Sequence, residues 1–139
     1  MNTIVDSDAL VGLFDIKDLH NKEAQRILEE LKRQQINTLV LPTTLTEFTA
    51  LFAYKVNMRE AQDTTDKIID FGMSIIEIRE ELTMEALAIY KKQGSAKETL
   101  FDCFVMAAAK MLEIRYIFSF DKGYKKQKNG FSLISDLLL

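Results

Sequence analysis

The stretch Asn2–Phe14, NTIVDSDALVGLF, runs an apolar pair straight into two carboxylates. Ile4 and Val5 lead into Asp6, Ser7 and Asp8, and apolar residues resume at Ala9, Leu10 and Val11. A chain entering its own core rarely carries charge there. An unpaired buried charge is costly, so such residues are paired, bound to metal, or held at a solvent-filled cleft. A short strand ending on an acid at the mouth of a cleft is the reading that organises the rest of the chain.

Four further runs resemble Thr3–Val5 in length and residue type: Thr38–Leu41, Ser74–Ile78, Tyr116–Ser119 and Phe131–Ile134. Short apolar or β-branched runs of this kind suit buried strands. Helical spacing fills the intervals. In Asn21–Arg33, Ala24, Ile27, Leu28 and Leu31 recur on one face. Pro42 suits the first turn of a helix running to about Lys55. Further helices are expected at about 59–71, 81–92 and 97–113. Strands alternating with helices predict an α/β fold with a mainly parallel five-stranded sheet covered on both faces.

A chain of 139 residues is expected to form a single domain, 1–139. Its net charge of -3 excludes a globally basic nucleic-acid binder, so attraction for a polyanion must come from a local patch. One cysteine, Cys103, excludes an internal disulfide framework and fits a reducing cytoplasm. With His20 the only histidine, a zinc site of Cys and His is also disfavoured. The first residues lack a basic start followed by a long apolar stretch, so no signal peptide is expected. No run reaches the ~18 apolar residues of a membrane span.

On this map Asp6 ends the first strand, and Glu47 lies in the first turns of the helix after the second. Asp121 follows the fourth strand at once. If the strands are parallel, all three stand at their carboxyl edge, where open α/β sheets bind ligands. Asp102 lies early in the helix before the fourth strand, amid Leu100, Phe101, Cys103, Phe104, Val105 and Met106. It joins the same edge if that helix begins there. Each acid also has an ordinary structural explanation. Asp6 or Asp8 suits a helix cap. Glu47 completes Thr44–Glu47, and Glu98 completes Ser95–Glu98, both of capping-box pattern. Asp121 before Lys122–Gly123 suits a turn. Coincidence explains one such placement more readily than four on one rim. Several carboxylates without a basic partner make a poor ion pair and a good oxygen-donor site for Mg²⁺ or Mn²⁺.

Four segments, IVDSDALVGLF, PTTLTEF, ETLFDCFVMAAAKML and IFSFDKGY, resemble in order and spacing the acidic motifs of the PIN-domain nucleases. The compact length and the DLHNKEA segment are most similar to the VapC toxins of toxin–antitoxin pairs. The resemblance runs from Thr3 to about Tyr124. It implies a three-layer α/β/α sandwich with sheet order 3-2-1-4-5. It also implies four catalytic acids, Asp6, Glu47, Asp102 and Asp121, with Asp6, Asp102 and Asp121 holding the metal. Ser119 matches the hydroxyl residue two positions before the last acid. Ser7 sits where the family often has Thr or Ser, Asp8 departs from its usual Asn or Ser, and Glu98 lies one helical turn before Asp102.

The implied activity is Mg²⁺- or Mn²⁺-dependent endonucleolytic cleavage of RNA by a cytoplasmic, dimeric toxin silenced by an antitoxin. Lys122, Lys125, Lys126 and Lys128, with Arg115 nearby, offer a track for the RNA backbone, or else a solvated turn. The segment EFTALFAYKVNM, apolar at Phe48, Leu51, Phe52 and Val56, offers a partner-binding face, or else core. Two rivals stand beside this reading. A haloacid-dehalogenase-type phosphatase also begins with a strand and Asp-x-Asp, making Asp6 the nucleophile and Asp8 the acid, but it expects a later paired-acid loop that FSFDKGYKK lacks. A non-catalytic PIN-fold binding module would keep the fold without the activity.

Overall fold

In the computed structural model, which describes residues 1–126 and 129–138, the first strand β1 (Asn2–Val5) is the middle strand of a five-stranded parallel sheet. Ile4 and Val5 are both fully buried, as a strand covered on both faces requires. The other strands are β2 (Asn37–Val40), β3 (Ser74–Ile75), β4 (Tyr116–Phe118) and β5 (Ser132–Leu133). Their order is β3-β2-β1-β4-β5, with Ile4 opposite Leu39 on one side and Ile117 on the other. Every pairing is parallel, so all carboxyl ends meet at one rim.

The helices are α1 (Ser7–Phe14), α2 (Asn21–Arg33), α3 (Pro42–Lys55), α4 (Met58–Asp70), α5 (Glu80–Lys91), α6 (Leu100–Met111) and the short α7 (Ile134–Leu138). They make the outer layers of the α/β/α sandwich. Alternate strand residues point to opposite faces. Val5, Val40 and Phe118 join one core with Leu10, Ile27, Phe48 and Ile68 from α1 to α4. Ile4 and Ile117 join a second core with Ala86 of α5 and Cys103 to Ala109 of α6. The predicted helix over Asn21–Arg33 is observed with the same bounds, and Pro42 opens α3.

Strands two and four and the end of the sixth helix shift by a residue or two from the sequence reading, and three boundaries differ in kind or by more. The third strand stops at Ile75 instead of Ile78. The last apolar run divides, with Ile134 opening α7. The sixth helix starts at Leu100, three residues later than expected, because Thr99 rather than Ser95 caps it. The apolar segment after Glu47 also divides. Phe48 and Phe52 are core, whereas Leu51 and Val56 stand at the surface beside the fully exposed Tyr54.

β1 is where the strand order reverses, since its sequence successors lie on one side and β4 and β5 on the other. Such a switch point leaves a crevice at the carboxyl ends of the two central strands. Asp6 follows β1 at once and extends the sheet, its N–H donating to the Phe118 carbonyl at 2.9 Å. Aromatic rings pack α1 against α3 in the core on that side of the sheet. Phe48 is fully buried and meets the rings of Phe14 and Phe52 at 5.9 and 5.3 Å. Phe48→Ala is expected to lower unfolding free energy by about 3–5 kcal/mol, the usual cost of removing a buried ring. Urea unfolding of the metal-free protein measures this, and a loss under about 1 kcal/mol would show that α3 can collapse onto the cavity.

Candidate active site

Asp6 is 4% exposed and caps α1, its Oδ1 accepting from the Ser7 N–H at 2.8 Å. Of the two acids open to a capping role, Asp6 takes it. Asp8 turns across the rim to β4 instead. Its carboxylate accepts from the Phe120 N–H at 2.9 Å and from the Ser119 hydroxyl at 3.0 Å. The same Ser119 hydroxyl lies 3.2 Å from Asp6 Oδ2 and accepts the Asp121 N–H at 3.0 Å. One hydroxyl proton therefore serves two carboxylates.

Glu47 does not complete a capping box. Leu41 caps α3 with no side-chain bond, and Glu47 instead accepts a hydrogen bond from the Ser7 hydroxyl, joining α3 to the start of α1. Asp102 is itself the third residue of a capping box. Thr99 Oγ1 accepts from the Asp102 N–H, while Asp102 Oδ2 accepts from the Thr99 N–H at 3.1 Å. Capping thus pins Asp102 at the one end of α6 that reaches the rim. Glu98 falls outside the helix, and its carboxylate pairs with Lys126 at 3.1 Å. Asp121 is exposed and caps the 3₁₀ turn Lys122–Lys125, accepting from the Gly123 N–H at 2.8 Å. A Cβ at Gly123 would stand 3.0 Å from Asp121 Oδ1, so glycine permits that close approach.

Sequence reasoning missed Tyr124. A tyrosine among lysines reads as surface, yet this one is 2% exposed. Its hydroxyl donates to Asp6 Oδ2 at 2.8 Å and lies 3.3 Å from Asp102 Oδ1. Its place after the last acid was the only signal.

The electrostatics bind these groups into one cluster. Burial pushes Asp6 up to about 8, and the charges of Asp8 and Asp102 push the same way. Burial likewise raises Asp8, with Asp121 contributing. Glu47 is raised by burial and by the charges of Asp102 and Asp8, and Asp102 by burial and Asp121. Tyr124 is held well above its ordinary value by burial, Asp6 and Asp102. Among the described residues, no lysine or arginine forms an ion pair with Asp6, Asp8, Glu47, Asp102 or Asp121.

Every donor on the rim is oxygen, which suits Mg²⁺ or Mn²⁺ better than a soft metal. Among the described residues, no three acidic, histidine or cysteine side chains are gathered so as to hold an ion as they stand. Mg²⁺ commonly takes only one or two protein carboxylates and keeps several waters, so the donor set fits on its chemistry.

The predicted lysine track is partly engaged. Lys125 pairs with Asp136 at 3.1 Å and Lys126 with Glu98, while Lys122 is exposed. Lys128 lies outside the described residues. A cleft of about 390 Å³, lined by Ser7, Asp8, Val11, His20, Leu51 and Tyr54 among others, borders the acids. His20 stacks on Phe120 at 4.1 Å and forms its wall without touching a carboxylate of the rim. No helix among the described residues is long and apolar enough to cross a membrane.

A family model described as the PIN domain matches residues 3–129. Among solved structures, the fold is similar to Mycobacterium tuberculosis VapC20, a sarcin-ricin loop cleaving toxin. The TM-score is 0.80 at 15% identity, covering 93% of this chain and 95% of that one. It is also similar to VapBC2 from Rickettsia felis bound to a DNA fragment from their promoter, with a TM-score of 0.68 at 14% identity, covering 96% and 97%. At such identities the likeness is one of fold. No curated protein sequence matches the chain.

The raised Asp6 sets a pH dependence. Its carboxyl keeps its proton to about 8 in the fold, against 3.8 ordinarily. Between those values the native state binds more protons than the unfolded chain, so stability falls as pH rises. Metal-free protein is expected to lose stability from about pH 4 to about pH 8. Asp6→Asn should flatten that slope and be more stable at the upper end by about 1 kcal/mol or more, since holding one extra proton across a single pH unit is worth roughly that much. Urea unfolding in chelator measures both, and a flat slope in the parent would contradict the buried charge cluster.

Proposed function

The chain belongs to the PIN domain family, and on that premise we propose that residues 1–139 form one nuclease domain, a metal-dependent endoribonuclease that acts as the toxin of a VapBC-type toxin–antitoxin pair. The observation that carries this reading is the gathering of five acids from four parts of the chain at one switch point, with no lysine or arginine among the described residues paired to them. Repulsion of that kind is a standing cost, which a divalent cation would relieve.

Of the proposed metal ligands Asp6, Asp102 and Asp121, one or two would hold Mg²⁺ or Mn²⁺ directly, and Glu47 would complete the catalytic set. When bound, the ion supplies a more acidic water and neutralises charge developing on a phosphodiester. The chain's own groups set the stage. Ser119 holds Asp6, Asp8 and the Asp121 backbone in one hydrogen-bonded group. Ser7 orients Glu47. Glu98 engages Lys126, which holds the turn after Asp121 against the start of α6.

Partners follow from the surface. An RNA backbone would approach over Lys122, Lys125 and Lys126, and Lys128 belongs to the same proposed track. The ion pairs of Lys125 and Lys126 are partly exposed, and such pairs are weak enough to exchange for phosphate. The exposed Leu51 and Tyr54, which line the cleft beside Asp8, suit an antitoxin segment or a second copy in a homodimer. The phosphatase alternative is disfavoured by Asp6, which is buried with both carboxylate oxygens engaged and is poorly placed as a nucleophile.

Purified protein is expected to cut RNA in Mg²⁺ and to stop in chelator. Asp6→Asn and Asp102→Asn should each lower the rate by about 100-fold or more, the scale of losing one element of charge stabilisation, with circular dichroism unchanged. Cleavage that survives chelator, or an Asp6→Asn variant of full activity, would overturn the assignment. In an Asp6→Asn background, Lys122→Ala should weaken RNA binding and reduce the log–log salt slope by roughly 0.7, one single-strand phosphate contact. An unchanged slope would place the RNA track elsewhere.

A further inference from the structure

We propose that Tyr124 is a positioning residue whose hydroxyl spans Asp6 and Asp102 and sets the spacing at which those two carboxylates receive a divalent cation. The inference rests on the metal-centre reading above and goes beyond it, because it gives a role to a side chain that contributes no charge.

Asp6 and Asp102 approach the rim from different sides. Asp6 follows the central strand and caps α1, whose apolar side packs into one core. Asp102 belongs to the first turn of α6, which packs into the other. Their charges oppose each other. Among the described residues, Tyr124 is the one side chain hydrogen-bonded to both, at 2.8 Å from Asp6 Oδ2 and 3.3 Å from Asp102 Oδ1.

The two carboxylates are gripped in the same manner. Asp6 is held on Oδ1 by the Ser7 N–H of its own helix, and Asp102 on Oδ2 by the Thr99 N–H of its own cap. The other oxygen of each faces the tyrosine hydroxyl. Each carboxylate is therefore held on one oxygen by its own element and meets the shared tyrosine hydroxyl with the other, Asp6 Oδ2 also taking the Ser119 hydroxyl, which limits both rotation and separation.

Packing alone does not call for that hydroxyl. The ring lies in the core with Ile4, Leu41, Cys103, Phe104 and Leu133, where phenylalanine would fill the same volume. A buried hydroxyl is costly unless bonded, and its bonding partners here are the two acids. The backbone holds the ring in place, with the Tyr124 carbonyl accepting from the Phe131 N–H at 3.3 Å and the Gly123 carbonyl from Asn129 Nδ2 at 2.8 Å.

Calorimetric titration of RNA-free protein with Mn²⁺ tests the proposal. Tyr124→Phe removes one oxygen and keeps the ring, so a purely structural role would leave metal affinity unmoved. The expected result is a Kd for Mn²⁺ about 10-fold higher or more, the usual effect of losing a group that orients a metal ligand, with far-ultraviolet dichroism retained. Tyr90→Phe, on the exposed side of α5, should bind as the parent does. Asp6→Asn separates the two levels of inference. If Asp6→Asn loses Mn²⁺ binding while Tyr124→Phe binds as tightly as the parent or more tightly, Tyr124 does not position the site and the metal centre stands. If Asp6→Asn itself binds at parental affinity, the metal-centre reading fails and the role of Tyr124 fails with it.

Discussion

Mutual repulsion among buried carboxylates is the constraint around which this fold is arranged. Asp6 is nearly inaccessible, and the nearby charges of Asp8 and Asp102 raise it further. A fold does not retain such a group for stability, since replacing a buried charge by a neutral isostere relieves the cost. What holds the acids together is a set of neutral donors: the Ser7, Phe120 and Thr99 N–H groups and the hydroxyls of Ser119 and Tyr124. Each donor is supplied by an element whose own packing is apolar, so the two hydrophobic cores stabilise the site from below.

Capping and membership of the acidic cluster fall to the same residues. Asp6 caps α1, Asp102 completes the capping box of α6, and Asp121 caps the 3₁₀ turn. Capping requires a side chain at a helix start, and the starts of α1, α6 and the turn meet at the carboxyl rim of a parallel sheet. Helix N-termini also favour negative charge. The ordinary structural reading of each acid and its place in the cluster therefore have one physical cause. Asp8 and Glu47 are the exceptions, because both reach past their own helix to a partner on another element.

Much of the architecture was legible in the sequence. Central strands buried on both faces are rich in apolar and β-branched residues, so β1 and β4 stand out, and the amphipathic period of Asn21–Arg33 marks α2 with its bounds. Boundaries failed where short apolar runs do not separate strand from helix, at Ile76–Ile78 and at Ile134. The start of α6 failed because two successive capping patterns, Ser95–Glu98 and Thr99–Asp102, compete within a few residues. The pattern that won is the one whose acid also meets Tyr124.

By itself the sequence pointed to the α/β class and, provided the strands are parallel, to one sheet edge shared by Asp6, Glu47 and Asp121. Those features follow from local periodicity and from the rule that parallel strands share a carboxyl rim. Only the tertiary structure decided that Asp102 joins them, that Ser119 is shared between Asp6 and Asp8, and that Tyr124 leaves a lysine-rich turn to stand between two carboxylates. The physical reason is that hydrogen bonds of this kind join residues far apart in sequence, through distances set by how α6, β4 and β5 pack. No local pattern records that packing, which arises when the two cores close on the sheet.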